Sequence, residues 1–322
     1  MMHWIKFSLI AAMSICAVIG ESFLPLSSAT AEYDLFRNPD VSPSAPSRPP
    51  APRSNPPVST GPIRGRFKIV HAQIKKEYLQ KLNIRLQDSG ALNYMQNNLD
   101  NLNLNLPADV PVIFGECGEE NAFYSPSKRR IIMCIDLVHA FVMRFHEDDP
   151  DASLKELLDI AFNITSFVLF HEMGHALVDI FDIPVTGREE DAVDEMAAIL
   201  LLEQGNAKSE QTVLQAAISF LLAAENNENV RNLPYWGEHS LDKQRFFSLL
   251  CLVYGSNPDK YSGLVERNIL PESRARRCPS EYAQKLSSWN RLLAPHINNN
   301  PVVAGNQPQP QTSYQPDPGL LW

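Results

Sequence analysis

The chain has 322 residues, 44% of them apolar, enough to bury a sizeable core in one large or two small domains. Its 28 Lys and Arg against 37 Asp and Glu leave a net charge of −9. Phosphate binding needs clustered cations, so this balance argues against a nucleic-acid partner, and the short basic run Arg274 to Arg277 reads as a solvated face.

The first residues, MMHWIK, precede an apolar run, FSLIAAMSICAVIG, and a small-residue stretch, SSATA, ahead of Glu32. This is the three-part pattern of a secretory signal peptide, residues 1–31. The run of about 14 residues is shorter than the roughly 20 that a membrane span needs. The expectation is an exported protein of the bacterial periplasm or extracellular space, not integral to a membrane once the signal is removed.

Cleavage after Ala31 would leave Cys117, Cys134, Cys251 and Cys278, an even number suited to an oxidising compartment. Four cysteines allow three connectivities. The local pairing Cys117–Cys134 with Cys251–Cys278 closes the shortest loops and is the one expected. No CxxC spacing is present to suggest a cysteine metal site.

Residues 32–63 are dominated by Pro, Ser and small residues, which bury too little apolar surface to fold, and read as a disordered linker. Residues 297–322 have the same character and read as a disordered tail. The folded domain is expected at 64–296.

Within it, GRFKIVHAQI reads as a strand and KKEYLQKLNIRLQDSGALNYMQNNLDNL as one or two helices. The apolar runs PVIFGEC and RRIIMCIDL, separated by the turn-rich GEENAFYSPSK, read as a strand pair or hairpin. In that reading Tyr124 is a turn aromatic, with a phenol donor lining the cleft as the alternative, and RRIIMC offers a sheet edge to an extended peptide. From Asp136 onward the apolar residues recur at i, i+3 and i+4 through six segments. The fold class is therefore α+β, a small N-terminal sheet or hairpin packed on a mainly helical body.

The segment FHEMGHALVD places His171 and His175 one helical turn apart on one face, with Glu172 about 100° round the helix. Two imidazoles so placed can share a cation, and the glutamate can reach a water bound to it without ligating the metal; this is the HExxH pattern. The apolar surroundings, ITSFVLF before and ALVDIF after, would leave two histidines and a glutamate in need of partners. Zinc suits such ligands, one ion per chain, with Glu172 as the base that activates the zinc-bound water.

The third ligand is expected from the helix GREEDAVDEMAAILL, reached through the turn DIPVTG. Glu190 and Asp194 lie one turn apart on one face, Glu190 as ligand and Asp194 as acceptor for a ligand histidine's other N–H. Glu189 and Asp191 read as solvated first-turn carboxylates, although either of them, or Asp194, is an alternative third ligand.

His171-Glu172-x-x-His175 with Glu190-x-x-x-Asp194-x-x-Ala197 resembles the gluzincin metallopeptidases, notably the HtpX-type and CAAX-prenyl-protease branch. That branch carries Glu-x-x-Ala-Asp, whereas the alanine here is at position 192. His239 and Arg245, six apart in EHSLDKQRFFSLL, are similar to its His-Pro-x-x-x-x-Arg segment, with Ser240 in place of the proline. The resemblance implies that His239 lies near the substrate oxyanion and that Arg245 holds it or the ligand shell.

Over roughly residues 64–293 the chain more closely resembles a family of secreted bacterial metallopeptidases defined as a domain of unknown function. The resemblance is carried by CGEENAFYSPSKRRIIMC, FHEMGHALVDIFDIPVTGREEDAVDEMA, HSLDKQR, CLVYG and RCPSEY. It implies a zincin-like core acting on a peptide or protein substrate. The alternative is a non-catalytic binding or structural protein of the cell envelope that keeps the peptidase-like core.

Overall fold

Four short runs of apolar and β-branched residues, β1 (Phe67–His71), β2 (Val110–Gly115), β3 (Ala122–Ser125) and β4 (Arg130–Cys134), form one sheet in the order β1-β2-β4-β3. The computed structural model describes residues 65–225 and 233–298. The expected signal peptide 1–31, linker 32–63 and all of the tail beyond Asn298 lie outside the described residues. Ile297 and Asn298, assigned to that tail, pair with the body instead: Ile297 forms an antiparallel bridge with Leu104, and the Asn298 N–H donates to the Asn103 carbonyl at 2.8 Å.

β1, β2 and β4 are mutually parallel, and β3 alone runs antiparallel, against β4. Parallel strands need a crossover connection, which α1 (Glu77–Asp88) and α2 (Ala91–Asn101) supply between β1 and β2. Of the expected strand pair or hairpin of PVIFGEC with RRIIMC, the pair is present and the hairpin is not. These runs are parallel neighbours, and the hairpin is β3 with β4, closed by a turn in which the Lys128 N–H donates to the Ser125 carbonyl. Four strand residues between Gly-Glu-Glu-Asn and Pro-Ser-Lys are too few to show alternation, so the strand is hidden within its turns. The free edge moves with this correction: RRIIMC lies between β2 and β3, and β3 is the edge.

The remainder is helical and the fold is α+β: α3 (Ile135–Asp148), α4 (Leu154–Phe181), α5 (Glu189–Leu202), α6 (Ala207–Glu225), α7 (Asp242–Ser256), the short α8 (Gly263–Glu266) and α9 (Glu272–Ala275), and α10 (Cys278–Leu293). Ser153 starts α4 with a capping box, its hydroxyl accepting the Glu156 N–H while its own N–H donates to the Glu156 carboxylate at 2.9 Å. Asp182, in the left-handed region at φ 52°, ends it. By length and composition α4 could cross a membrane, but 67% of its most apolar window is buried inside this protein. It is the central helix, covered by β3 and β4 and by α3, α5 and α6, and so has no polar face to show.

Gly174 sets the spacing of α4 and α5. A Cβ at that position would lie 2.7 Å from the Val193 Cβ and 2.8 Å from the Met196 Cε. Only a bare backbone lets the two helices approach this closely, and α5 carries the carboxylates that face the two histidines.

Two disulfides, Cys117–Cys134 and Cys251–Cys278, are present, in agreement with an oxidising compartment. The first joins the segment after β2 to the end of β4, so β3 lies inside its loop. Beside it Asp136, 9% exposed, accepts the N–H groups of Cys117 at 2.9 Å and Gly118 at 3.3 Å and faces the Lys76 ammonium at 3.4 Å. Burial works against its charge, yet these donors hold its carboxyl below the ordinary range.

Candidate metal centre

Helical spacing brings His171 and His175 together, with Nε2 atoms 3.3 Å apart. Glu190, in the first turn of α5, directs Oε2 between them, 3.1 Å from His171 Nε2 and 3.4 Å from His175 Nε2. His239, in the segment leading into α7, brings its Nε2 to 2.8 Å from the same oxygen. The ligand atoms of His171, Glu190 and His239 all lie within 4.8 Å of one another.

The outer nitrogens decide what the inner ones can do. His171 Nδ1 lies 2.8 Å from Asp194 Oδ1, and His175 Nδ1 lies 2.7 Å from Glu189 Oε1. A carboxylate only accepts, so each Nδ1 carries the proton, and a neutral ring then turns a lone pair inward at Nε2. Glu189 was read from sequence as a solvated first-turn carboxylate; the structure gives it the same relation to His175 that Asp194 has to His171. Its signal was available: α5 returns past α4, and a residue beside a ligand on the facing turn reaches the second histidine.

Two inward lone pairs and a carboxylate oxygen repel one another unless a cation or protons stand between them. Glu190 Oε2 is buried, and no hydrogen-bond donor is aligned on it. The separations fit a metal: ligands at about 2.0–2.1 Å from a tetrahedral zinc lie about 3.3–3.4 Å apart. The titration behaviour agrees. Burial works against the charge of Glu190, but His171, His175 and His239 around it hold its carboxyl far below the ordinary range. For His171, burial disfavours the imidazolium, yet its bond to Asp194 and the negative charge of Glu190 beside it outweigh this and raise the pKa to about 9. His175 is likewise raised, against its burial, by Glu190 and Glu189.

Asp194, 5% exposed, is also gripped by Arg245, whose Nε donates to Oδ2 at 2.7 Å and Nη2 to Oδ1 at 2.9 Å. These contacts hold Asp194 below the ordinary carboxylate range although burial pushes the other way. The guanidinium carbon lies 3.8 Å from the centroid of the Phe220 ring, a cation–π contact that links α6 to the centre. Arg188 donates to the His239 carbonyl at 3.1 Å and Ser240 to Asp191 at 2.8 Å, tying the His239 segment to the start of α5.

Glu172, 6% exposed, is not among the convergent donors. Burial raises its pKa, opposed by His171 and His175 and by the backbone N–H of Tyr124. That N–H belongs to edge strand β3. The Cys134 N–H bonds the Asn121 carbonyl, so in the β3–β4 register Phe123 and Ser125 also face β4, while the backbone groups of Ala122 and Tyr124 face away from the sheet. Tyr124 is thus a strand residue, not a turn aromatic, and its phenol donates to Asp179 at 2.8 Å.

A cavity of about 260 Å³ adjoins the centre and includes His171, Glu172 and His239 in its walls. Much of its lining is apolar, from Leu137 and Phe141 on α3, Ile164 and Phe167 on α4, and Ala216 and Phe220 on α6.

Residues 71–293, more than half of the chain, match a family model described as "Putative metallopeptidase". No curated protein and no solved structure matches.

Proposed function

The chain belongs to that family, and from this premise we propose that it is a zinc-dependent peptidase with His171, His175 and Glu190 as ligands. One observation carries the reading: two histidines have their outer nitrogens committed to Asp194 and Glu189, and their inner nitrogens converge with a buried, undonated Glu190 oxygen at cation spacing. Nitrogen and carboxylate donors suit zinc. Bound there, the metal would supply Lewis-acid polarisation of a carbonyl and acidify a water.

The chain's own residues supply the remaining functions. Glu172, whose pKa is raised by burial, takes a proton from the attacking water and returns it to the departing amine. His239, its side chain 48% exposed beside the centre, donates to the oxyanion that develops on the substrate carbonyl. Asp194 and Glu189 fix the ligand rings, and Arg245 fixes Asp194. The outer edge of β3 offers the Ala122 backbone groups and the Tyr124 carbonyl to an extended peptide, which adds as a further strand. The disulfides support export.

The test is Glu172→Gln. Metal content by elemental mass spectrometry should stay at about one zinc per chain, while peptide hydrolysis is abolished; retained turnover would sink the reading.

A second reading is favoured by the 2.8 Å contact of His239 Nε2 with Glu190 Oε2. If His239 also ligates, four protein donors close the site, as in a structural zinc centre, and the protein is a non-catalytic binding or structural component of the envelope. X-ray absorption on the zinc-loaded chain separates the two readings by counting three imidazoles or two.

A further inference from the structure

We propose that the face of the sheet turned away from α4 is a docking surface for this chain's own segment Glu32-Tyr33-Asp34-Leu35-Phe36. Neither the metal nor the peptidase reading is needed for it.

The strands are apolar on both faces. In the register of the sheet Ile69, Val112, Ile131 and Tyr124 form one row, on the side of α4, where the Tyr124 phenol reaches Asp179. Val112 and Ile131 are fully buried there. The next row, Val70, Ile113, Ile132 and Phe123, points the other way. Val70 and Phe123 are each 40% exposed, and Ile113 and Ile132 are half-buried. Parallel strands with apolar residues on both sides belong to sheets covered on both faces, yet this second row stays accessible among the described residues. Four apolar side chains in one unbroken row mark a surface that something covers.

Charge narrows the occupant. Arg130 is two residues from Ile132 in β4 and so shares its face, and its Nε is buried with no acceptor aligned on it. Lys128 and Arg129 lie in the adjoining turn, and none of these three cations makes an ion pair among the described residues. Lys68, on the same face of β1, is already offset by Asp109. Such a face suits apolar side chains accompanied by carboxylates. A second copy fits it less well, because a two-fold pairing sets like against like and brings the cationic turns together.

The chain supplies a matching segment. Within residues 32–64, which lie outside the described residues, Tyr33 and Phe36 are the only aromatic residues, and they enclose Asp34 and Leu35 with Glu32 just before. The described chain starts at Gly65, two residues ahead of β1, the strand at one end of the row. The row crosses three strand spacings of about 4.8 Å, about 14 Å in all. Residues 37–64 reach several times that distance even at the roughly 3.1 Å per residue of a Pro-rich chain. The tether makes docking intramolecular, so modest apolar burial is enough to seat the segment.

The experiment is limited proteolysis of the intact chain by chymotrypsin, following cleavage after Phe36 by mass spectrometry. Each rate is divided by that of a free peptide of the same sequence. The wild type should be cut at least about tenfold more slowly than Phe123→Asp, Val70→Asp or the double variant Tyr33→Ser with Leu35→Ser, because the protease waits for the segment to leave the face. The double variant alters the segment alone, so the test survives if the sheet does not tolerate a charge. Wild-type cleavage as fast as in the variants overturns the proposal. A dimer that Phe123→Asp dissociates would then give the face to a second copy, and sedimentation with phosphatidylglycerol vesicles would give it to a lipid surface. Slow cleavage that persists in every variant also overturns it, since the segment is then held elsewhere.

Discussion

Arg245 grips both carboxylate oxygens of Asp194, at 2.7 and 2.9 Å, from a helix 51 residues further along the chain. Asp194 is buried and Arg245 half-buried, and one Asp194 oxygen is shared with His171 Nδ1. Losing the guanidinium would strand a buried charge, which costs about 3–5 kcal/mol. Arg245→Met should lower the urea midpoint accordingly and weaken zinc, because His171 loses its fixed orientation. Arg245→Lys should recover part of the stability, since a point charge replaces a bidentate fork. Equal midpoints for wild type and Arg245→Met would contradict this role.

The metal-free centre makes stability depend on pH in a definite sense. His171 rises from an ordinary value of 6.5 to about 9: burial opposes the shift, but Asp194 and Glu190 overcome it. The folded chain therefore holds this proton more tightly than the unfolded chain does. Its contribution is complete below about 6.5 and is lost as pH rises through about 9. Differential scanning calorimetry of chelator-stripped protein should show the Tm falling across that window. Reloading with zinc should remove the fall, because the ion takes the place of the proton; identical profiles with and without metal would be inconsistent with the site.

Gly174 is the position where a single methyl group should be felt at the centre. Gly174→Ala places a Cβ against Val193 and Met196, and overpacking of this kind costs about 1–3 kcal/mol. Parting α4 from α5 also draws Glu190 away from the histidines, so zinc affinity should fall together with stability. A variant that binds zinc like the wild type would show that the helices can yield without moving the carboxylate.

Removing the Cys117–Cys134 disulfide by paired serine substitutions should cost about 3 kcal/mol, the usual effect of a loop of this length. Asp136 should limit the damage, since it still holds the Cys117 and Gly118 N–H groups. Asp136→Asn in the serine background should then destabilise further, most clearly near neutral pH, where Asp136 is ionised. Urea titrations of the wild type and the two variants at pH 7 measure both effects.

The convergence of these side chains was largely legible from sequence because it is local: His171, Glu172 and His175 lie within one turn and a half of helix, and Glu190 and Asp194 within one turn of the next. What helical spacing does not give is which neighbour of Glu190 meets which imidazole. Glu189 reaches His175 because Gly174 and the turn through Asp182 bring α5 past α4 at close range. The sheet was less legible. Parallel pairing of β2 with β4 is set by contacts distant in sequence, and a four-residue strand among turn residues leaves no periodic trace. The disulfide pairing was recovered because the expected short loops also match the observed neighbours.

The edge strand also has a consequence for the conformation of a substrate. If a substrate adds to this edge as proposed, only a segment already free of its own fold can offer unpaired backbone groups to Ala122 and the Tyr124 carbonyl, and Glu119 and Glu120, just before the strand, place negative charge at its entrance. A peptidase built this way selects on disorder before it selects on side chains. Native globular proteins should survive incubation intact, and the same proteins should be cut once heat or reduction has loosened them.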